Sequence, residues 1–330
     1  VSKESLSLTG RAIQEAIQQS SNILVITHTG PDGDAVASLT AVGLALSQWD
    51  KTFTLMCDDS VPERFYFLAL ARRVKRPRND HAGYDLVIAV DCGDEQRMGQ
   101  SFASLPQPRP PVINIDHHVT NTRFGQINLV VDTAVSTTEI LHDLFTELGL
   151  TMDANLAMSL LTGLVTDTLA FRTVGTSAKT LKIASDLMAA GADLSLATSQ
   201  GLNLKEFATV KLWQVGLDNM KLEDGLLWTT ITRQQRKATG YTGSSSNGLS
   251  NLLADVEGVA IGAVLMEMGD GTVRVGFRCR PPYNVAELAQ NLGGGGHPLA
   301  AGCTLTGPLA EVEEQVVMMS KEAIRKQKED

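Results

Sequence analysis

Cysteine is scarce in this 330-residue chain, and the four that occur, Cys57, Cys92, Cys279 and Cys303, form no Cys-x-x-Cys pair. Neither a zinc knuckle nor a disulfide framework is indicated, and the four fit reduced thiols in a cytosol. No apolar run approaches the roughly 20 residues needed to span a bilayer. The start of the chain also lacks the charged-then-apolar pattern of a signal peptide. These absences predict a cytoplasmic protein with no membrane partner. Positive charge is missing in excess as well: 28 Lys and Arg against 37 Asp and Glu leave a formal net charge of -9. A protein that lives on long nucleic acid neutralises many phosphates with a broad basic face, so no long-duplex partner is expected. A small anionic ligand is compatible with this balance, because a metal site supplies local positive charge.

What is present is organised around Thr27-His28-Thr29-Gly30-Pro31-Asp32-Gly33-Asp34. The stretch follows the apolar run Ile23–Ile26 and precedes a helical pattern from Ala35 to Ser47. A strand that breaks at Gly-Pro and Gly places the following side chains at the carboxyl edge of a sheet, where open α/β folds bind ligands. Two carboxylates and an imidazole crowded there repel one another and bury poorly unless a cation neutralises them. Each residue also has a structural reading: Asp34 as a helix N-cap, Asp32-Gly33 as turn chemistry, His28 as a satisfied strand-end histidine.

The pattern recurs. A helix from about Leu6 to Gln19 leads into the first strand, and Phe53–Cys57 completes a βαβ unit. Asp85–Val90 ends on Asp91-Cys92-Gly93-Asp94, and Pro111–Ile115 runs into Asp116-His117-His118, with Asn121 three positions on. Three strands thus deliver His or Asp at their carboxyl ends, which favours one shared site. Ser136-Thr137-Thr138-Glu139 reads as a capping box opening a helix to about Leu148, and a second helix runs from Asp153 toward Thr168. From the residues alone, Asp167 on that apolar helix reads as a hydrogen-bonded core polar group rather than a ligand. Arg72 to Arg78 holds five basic residues in seven and reads as a solvated loop, with a steering patch for anionic substrate as the other reading.

Length allows two domains. The expected division is 1–200 for an α/β domain with a mainly parallel sheet flanked by helices, 201–218 for a connector helix, and 219–330 for a smaller α+β domain. After a helix over Ser177–Ala190, a helical segment over Leu204–Leu217 is that connector. Beyond it, strands are predicted over Leu226–Thr232, Val259–Met268 and Thr272–Arg278, with a flexible Gly/Ser loop over Gly240–Ser250. The second half holds Gly293-Gly294-Gly295-Gly296-His297, preceded by Arg278-Cys279-Arg280. Bare backbone N–H groups there suit a phosphate or nucleobase, and Arg278 offers a planar five-donor fork. An amphipathic helix from Leu309 to about Lys326 closes the chain.

These motifs resemble the DHH phosphoesterase superfamily, named for the triplet seen here as Asp116-His117-His118. Within it the chain is similar to the nanoRNase (oligoribonuclease) and pAp phosphatase group, relatives of the RecJ exonucleases. The resemblance covers nearly the whole chain and implies an active site in the cleft between the two domains. It implies that His28, Asp32 and Asp91 hold one metal and that Asp34, Asp91, His117 and Asp167 hold the other, with Asp91 bridging. His118 would face the scissile phosphate, with Asp116 orienting it. Arg278, Gly295, Gly296 and His297 would hold substrate, as would Asn121 and Ser136. Ala37 and Cys279 depart from the glycine and serine frequent at those places in the family, and neither touches a ligand.

An oxygen and imidazole donor set without thiolate suits two Mn²⁺, with Mg²⁺ or Co²⁺ as substitutes. The expected activity is hydrolysis of short oligoribonucleotides and of 3′-phosphoadenosine 5′-phosphate (pAp) to AMP. Competing readings are a cyclic-di-AMP or pApA phosphodiesterase, an inorganic pyrophosphatase and, from a different class, a catalytically silent nucleotide-binding sensor. A homodimer through the first domain is consistent with the resemblance.

Overall fold

The protein is described from a computed structural model covering residues 3–77, 83–243 and 245–329. Arg78, the end of the basic run, lies outside these described residues. The chain divides into two compact units, Val1–Leu204 and Lys205–Asp330.

In chain order the first unit comprises α1 (Lys3–Gln19), β1 (Asn22–Ile26), α2 (Gly33–Gln48), β2 (Thr52–Met56), β3 (Leu86–Val90), α3 (Gln100–Ala103), β4 (Val112–Asp116), β5 (Ile127–Val130), α4 (Thr137–Glu147), α5 (Ala154–Asp167), α6 (Ala178–Ala189) and α7 (Leu194–Thr198). Its five strands run in the order β2-β1-β3-β4-β5, all parallel. Both faces of such a sheet must be covered, which is why β1 and β3 are continuous apolar runs. Ile23 and Val25 enter the larger core with α2, α4 and α5, while Leu24 and Ile26 point the other way, toward Met98 and Phe102. Strand order reverses between β1 and β3, so the crevice beyond their carboxyl ends is the switch point where this topology binds ligands. The loops after β1 and β3 carry His28, Asp32 and Asp91.

The second unit comprises α8 (Phe207–Asp218), β6 (Lys221–Glu223), β7 (Leu226–Ile231), α9 (Arg233–Thr239), α10 (Leu249–Ala254), β8 (Ile261–Glu267), β9 (Thr272–Cys279), α11 (Ala286–Asn291), β10 (Gly295–His297), β11 (Ala300–Thr306) and α12 (Leu309–Glu329). Its sheet order is β10-β11-β9-β8-β7-β6, with only β7 and β8 parallel. Alternation along β9 is clean: Val273, Val275, Phe277 and Cys279 join the core that includes Val285, Leu288 and Val316. On the opposite face, Leu212 of α8 and Leu249 and Leu253 of α10 pack on Leu227, Ile231, Val264 and Met266 of β7 and β8. The Gly240–Ser250 segment is less free than its composition predicts. The Trp213 indole N–H donates to the Ser246 carbonyl, Arg236 donates to the Gly243 carbonyl, and α10 begins inside it.

The four-glycine run is divided between a turn and the sheet: Gly293 and Gly294 lead out of α11, and β10 begins at Gly295. Gly293 is left-handed at φ 77° just past α11, and a Cβ at Gly294 or Gly296 would collide with the backbone of β11. Of the four, only Gly295 both lacks a left-handed φ and has open space where a side chain would stand.

Candidate metal centre

The first loop builds the site through a division of labour between its two acids. Asp32, not Asp34, is the N-cap of α2, its Oδ1 accepting from the Ala35 N–H at 3.1 Å. Asp34 is the second residue of the helix, within its first turn, and is completely buried. The N-terminus of α4 meets it: the Thr137 N–H donates to Oδ2 at 2.6 Å, and the Thr138 N–H and hydroxyl donate to Oδ1 at 3.2 and 2.8 Å. Unpaired N–H groups at a helix start are a natural seat for a carboxylate. Gly163 of α5 leaves the room, since a Cβ there would overlap Asp34 and Thr138.

Asp91 stands at the carboxyl end of β3 with φ 54°, a left-handed conformation costly for a residue with a Cβ and characteristic of functional sites. Its two oxygens face different histidines: Oδ2 lies 3.6 Å from His28 Nε2, and Oδ1 lies 3.7 Å from His117 Nε2. Oδ1 also accepts from the Thr137 hydroxyl at 2.9 Å. His28 Nε2 lies 3.9 Å from Asp32, and His117 Nε2 lies 3.2 Å from Asp167, the last residue of α5. Each histidine turns its Nδ1 to a backbone carbonyl, His28 to Thr29 at 2.8 Å and His117 to Ala134 at 3.3 Å. A proton on Nδ1 satisfies those carbonyls and leaves the Nε2 lone pairs aimed at the acids, the arrangement a metal-ligating histidine needs.

Three overlapping groups of donor atoms result, each with its atoms within 4.8 Å of one another: His28–Asp32–Asp91, Asp34–His117–Asp167 and Asp91–His117–His118. Among the described residues no lysine or arginine pairs with Asp34, Asp91 or Asp167; their ionic neighbours are histidines. The electrostatics record the strain of this arrangement. Burial, with Asp91 and Asp167 adding to it, holds the Asp34 carboxyl well above the usual range, and burial raises Asp167 to about 6. For Asp91, burial opposes ionisation, but the His28 hydrogen bond and the His117 and His28 charges outweigh it and bring it to about 2. Burial works against a charged His117, yet the Asp167 hydrogen bond and surrounding carboxylates raise it to about 10. Acids that cannot all ionise unaided, beside imidazole lone pairs and without any thiolate, are a donor set that fits a divalent cation.

His118 is held differently. Its Nδ1 donates to Asp116 Oδ1 at 2.7 Å, and the other oxygen of the fully buried Asp116 accepts from Asn121 Nδ2 at 2.6 Å. Asn121 was expected to touch substrate. Its Nδ2 is instead shared among Cys92, Asn114 and Asp116, and its Oδ1 accepts from the Arg123 N–H, which leaves no group free. Ser136 is completely buried as the N-cap of α4, its hydroxyl accepting from the Glu139 N–H, so it too has a supporting place rather than a substrate-facing one. The other half of the expected capping box is absent, because Glu139 turns to Lys179 at 2.8 Å. Thr137, Thr138 and Gly163 are the supporting residues that sequence reasoning did not find.

A family model for the N-terminal domain of the DHH family matches residues 22–164, and one for the DHHA1 domain matches residues 230–326. The "Bifunctional oligoribonuclease and PAP phosphatase NrnA" of Thermus thermophilus is 31% identical over 309 residues, 92% of this chain and 90% of that protein. The chain belongs to the DHH family. Its matched N-terminal domain contains β1 through most of α5, and thus every residue of the centre except Asp167. Among solved structures, an exopolyphosphatase-related protein from Bacteroides fragilis has the same fold, with a TM-score of 0.84 at 20% identity over 97% of this chain and 96% of that one. RecJ of Thermus thermophilus, crystallised with Mn²⁺, is similar at a TM-score of 0.53 and 15% identity, over 98% of this chain and 55% of that one.

Of the substrate residues expected in the DHHA1 part, Arg278, Gly295 and His297 share one face of its sheet, while Gly296, opposite Ala301 and Phe277, belongs to the other. Arg278, Ala300 and His297 are direct cross-strand neighbours on β9, β11 and β10. Arg278 is half-buried, and its guanidinium donates to the Phe277 carbonyl at 2.9 Å. Gly295, Gly296 and His297 are exposed on the edge strand.

Proposed function

We propose that this DHH-family chain is a phosphoesterase that uses two divalent cations to hydrolyse short oligoribonucleotides and pAp, releasing AMP from the latter. The observation that carries the reading is the convergence of His28, Asp32, Asp34, Asp91, His117 and Asp167 around a single buried carboxylate, Asp91, whose oxygens face separate groups of donors. In this reading His28, Asp32 and Asp91 hold one cation, and Asp34, Asp91, His117 and Asp167 hold the other. Mn²⁺ suits the donors best, with Mg²⁺ and Co²⁺ as substitutes. Bound there, the pair supplies Lewis acidity at the phosphoryl oxygens and water activated near neutral pH.

The remaining chemistry belongs to the side chains. Asp116 fixes the His118 proton on Nδ1, so Nε2 is the atom presented to a phosphoryl group. When protonated, Nε2 hydrogen-bonds a phosphoryl oxygen and donates its proton to the departing oxygen as the P–O bond breaks. Asn121 holds the second oxygen of Asp116, so the dyad keeps its orientation through the cycle. In the second unit, Arg278 offers a fork to a phosphate, and the exposed edge at Gly295–His297 offers backbone and imidazole to the rest of the nucleotide. The RNA and pAp activities in the name of the Thermus thermophilus relative agree with this reading.

The deciding experiment offers pAp, pApA, a five-mer RNA, cyclic-di-AMP and pyrophosphate side by side with Mn²⁺ and identifies the products. AMP from pAp together with mononucleotides from the five-mer is the expected result. Cleavage confined to cyclic-di-AMP or pApA would move the protein to cyclic-dinucleotide turnover. Hydrolysis of pyrophosphate alone would make it a pyrophosphatase, and nucleotide binding without hydrolysis under any divalent cation would make it a sensor.

A further inference from the structure

The exposed part of the second sheet carries more than Arg278 and His297. Gly276 of β9, Gly302 of β11 and Gly295 of β10 are direct cross-strand partners, and partners directly opposite present the same face. The result is a strip three strands wide without a single side chain. On one side of it runs the row Arg278–Ala300–His297, and on the other the pair Arg274–Thr304. Helices α8 and α10 cover the neighbouring Val264 and Met266 but leave this strip bare, over a cavity of about 560 Å³ lined by Ser245, Ser246, Arg274, Gly276, Arg278 and Gly302.

The glycines do not share one explanation. A Cβ at Gly302 would sit 2.7 Å from the Val275 carbonyl oxygen, so close strand passage demands glycine there. At Gly276 and Gly295 a Cβ would meet nothing within 4 Å, and neither has a left-handed φ. Packing and backbone conformation therefore leave those two unexplained, whereas close approach of a flat ligand to the backbone accounts for both.

We propose that this strip is a groove for single-stranded oligoribonucleotide, in which a nucleoside lies over the glycine floor and Arg274 takes a backbone phosphate that a mononucleotide lacks. The proposal rests on the reading of the chain as a short-RNA phosphoesterase and adds a residue that sets chain-length preference. Arg278 and Arg274 are four residues apart on one strand, about 13 Å between Cα atoms, which suits successive parts of an extended chain rather than one phosphate. A guanidinium at each end with hydroxyls of Ser245 and Ser246 alongside matches alternating phosphate and ribose.

The test compares Arg274→Ala, Arg274→Lys and Gly276→Val with wild type in the full chain, on a five-mer RNA and on pAp. Valine favours a strand and at Gly276 fills only open space, so that variant blocks the floor without needing the arginine. Loss of a charged phosphate contact predicts a KM for the five-mer raised about tenfold, a pAp KM moved less than about twofold, and partial recovery in Arg274→Lys. An equal change on both substrates, or none on the five-mer, overturns the groove. If wild type hydrolyses neither substrate, the proposed function falls on its own, and the groove is judged by fluorescence anisotropy of a labelled five-mer RNA. Binding weakened about tenfold in both Arg274→Ala and Gly276→Val supports it, and unchanged binding in either one overturns it.

Discussion

Gly163→Ala sets two physical effects against each other with opposite signs. Gly163 lies in the interior of α5, where alanine is the better helix former by about 1 kcal/mol, so propensity alone predicts a more stable protein. The tertiary structure predicts the reverse. The new Cβ would lie less than 3.0 Å from Asp34 Oδ1 and from the Thr138 side chain. Asp34 cannot swing away freely, because it is completely buried and accepts hydrogen bonds from the Thr137 N–H, the Thr138 N–H and the Thr138 hydroxyl. Losing one hydrogen bond to a charged group costs about 1.5–3 kcal/mol. Subtracting the helix gain leaves a net loss of about 0.5–2 kcal/mol for one broken bond, and more for two. Displacing the carboxylate also moves a donor of one proposed cation site, which predicts Mn²⁺ affinity down by about tenfold or more. Thermal unfolding in saturating Mn²⁺ and calorimetric titration of the cation read the two effects separately. A raised Tm together with unchanged Mn²⁺ affinity would refute the claim that Gly163 exists to make room for Asp34.

Three further outcomes follow from the same geometry. His118→Ala should lower kcat by about 10²–10⁴-fold with Mn²⁺ content retained, and Asp116→Asn should lower it by about 10–100-fold; steady-state kinetics with metal analysis checks both, and a wild-type kcat in either removes the dyad from the chemistry. Mn²⁺ binding should release protons and tighten as pH rises. The cation-free centre holds Asp34 and Asp167, the latter at about 6, above the carboxylate range and His117 at about 10, so falling pH loads the very atoms that must ligate. Calorimetry in buffers of differing ionisation enthalpy should count about one proton or more per chain, and zero release would contradict the assignment. Burial pushes the thiols of Cys57, Cys279 and Cys303 up to about 11 and that of Cys92 to about 12. At pH 8 the thiolate fraction is then about 10⁻³ or less, so a disulfide reagent should leave the folded chain unlabelled and react with four thiols once it unfolds.

The sequence made the strand-end residues legible because a buried parallel strand is a continuous apolar run, and the side chain after its last residue has a known destination. His28, Asp32, Asp91 and the Asp116–His118 triplet were found that way. Asp34 is legible in the same turn as His28 and Asp32, with a helix N-cap as its structural reading; Asp167 is harder, since it sits on an apolar helix, where an acid has ordinary structural uses. Asp167 did carry one signal: it occupies the last position of α5, the end where the helix dipole disfavours a carboxylate. Thr137, Thr138 and Gly163 left no local trace, because their roles depend on contact with Asp34 more than 100 positions away in sequence. Asn121 and Ser136 are substrate candidates through the resemblance alone, and no local pattern reveals that their polar groups are engaged with neighbouring residues. In the second unit the glycine run is visible, but nothing local reveals that a strand begins at Gly295 or that Gly294 and Gly296 face a neighbouring strand. The start of the short helix α10 is hidden in the Gly240–Ser250 segment, whose composition suggests flexibility.

The central claim is that Asp91 stands between two cations whose joint action hydrolyses a phosphoester. The measurement that tests it most directly follows AMP release from pAp and bound Mn²⁺ per chain in the same samples of wild type and Asp91→Ala. The account predicts two ions and steady AMP release in wild type, with both lost in the variant. Normal Mn²⁺ content in Asp91→Ala, or two bound ions in wild type without any AMP, would contradict it.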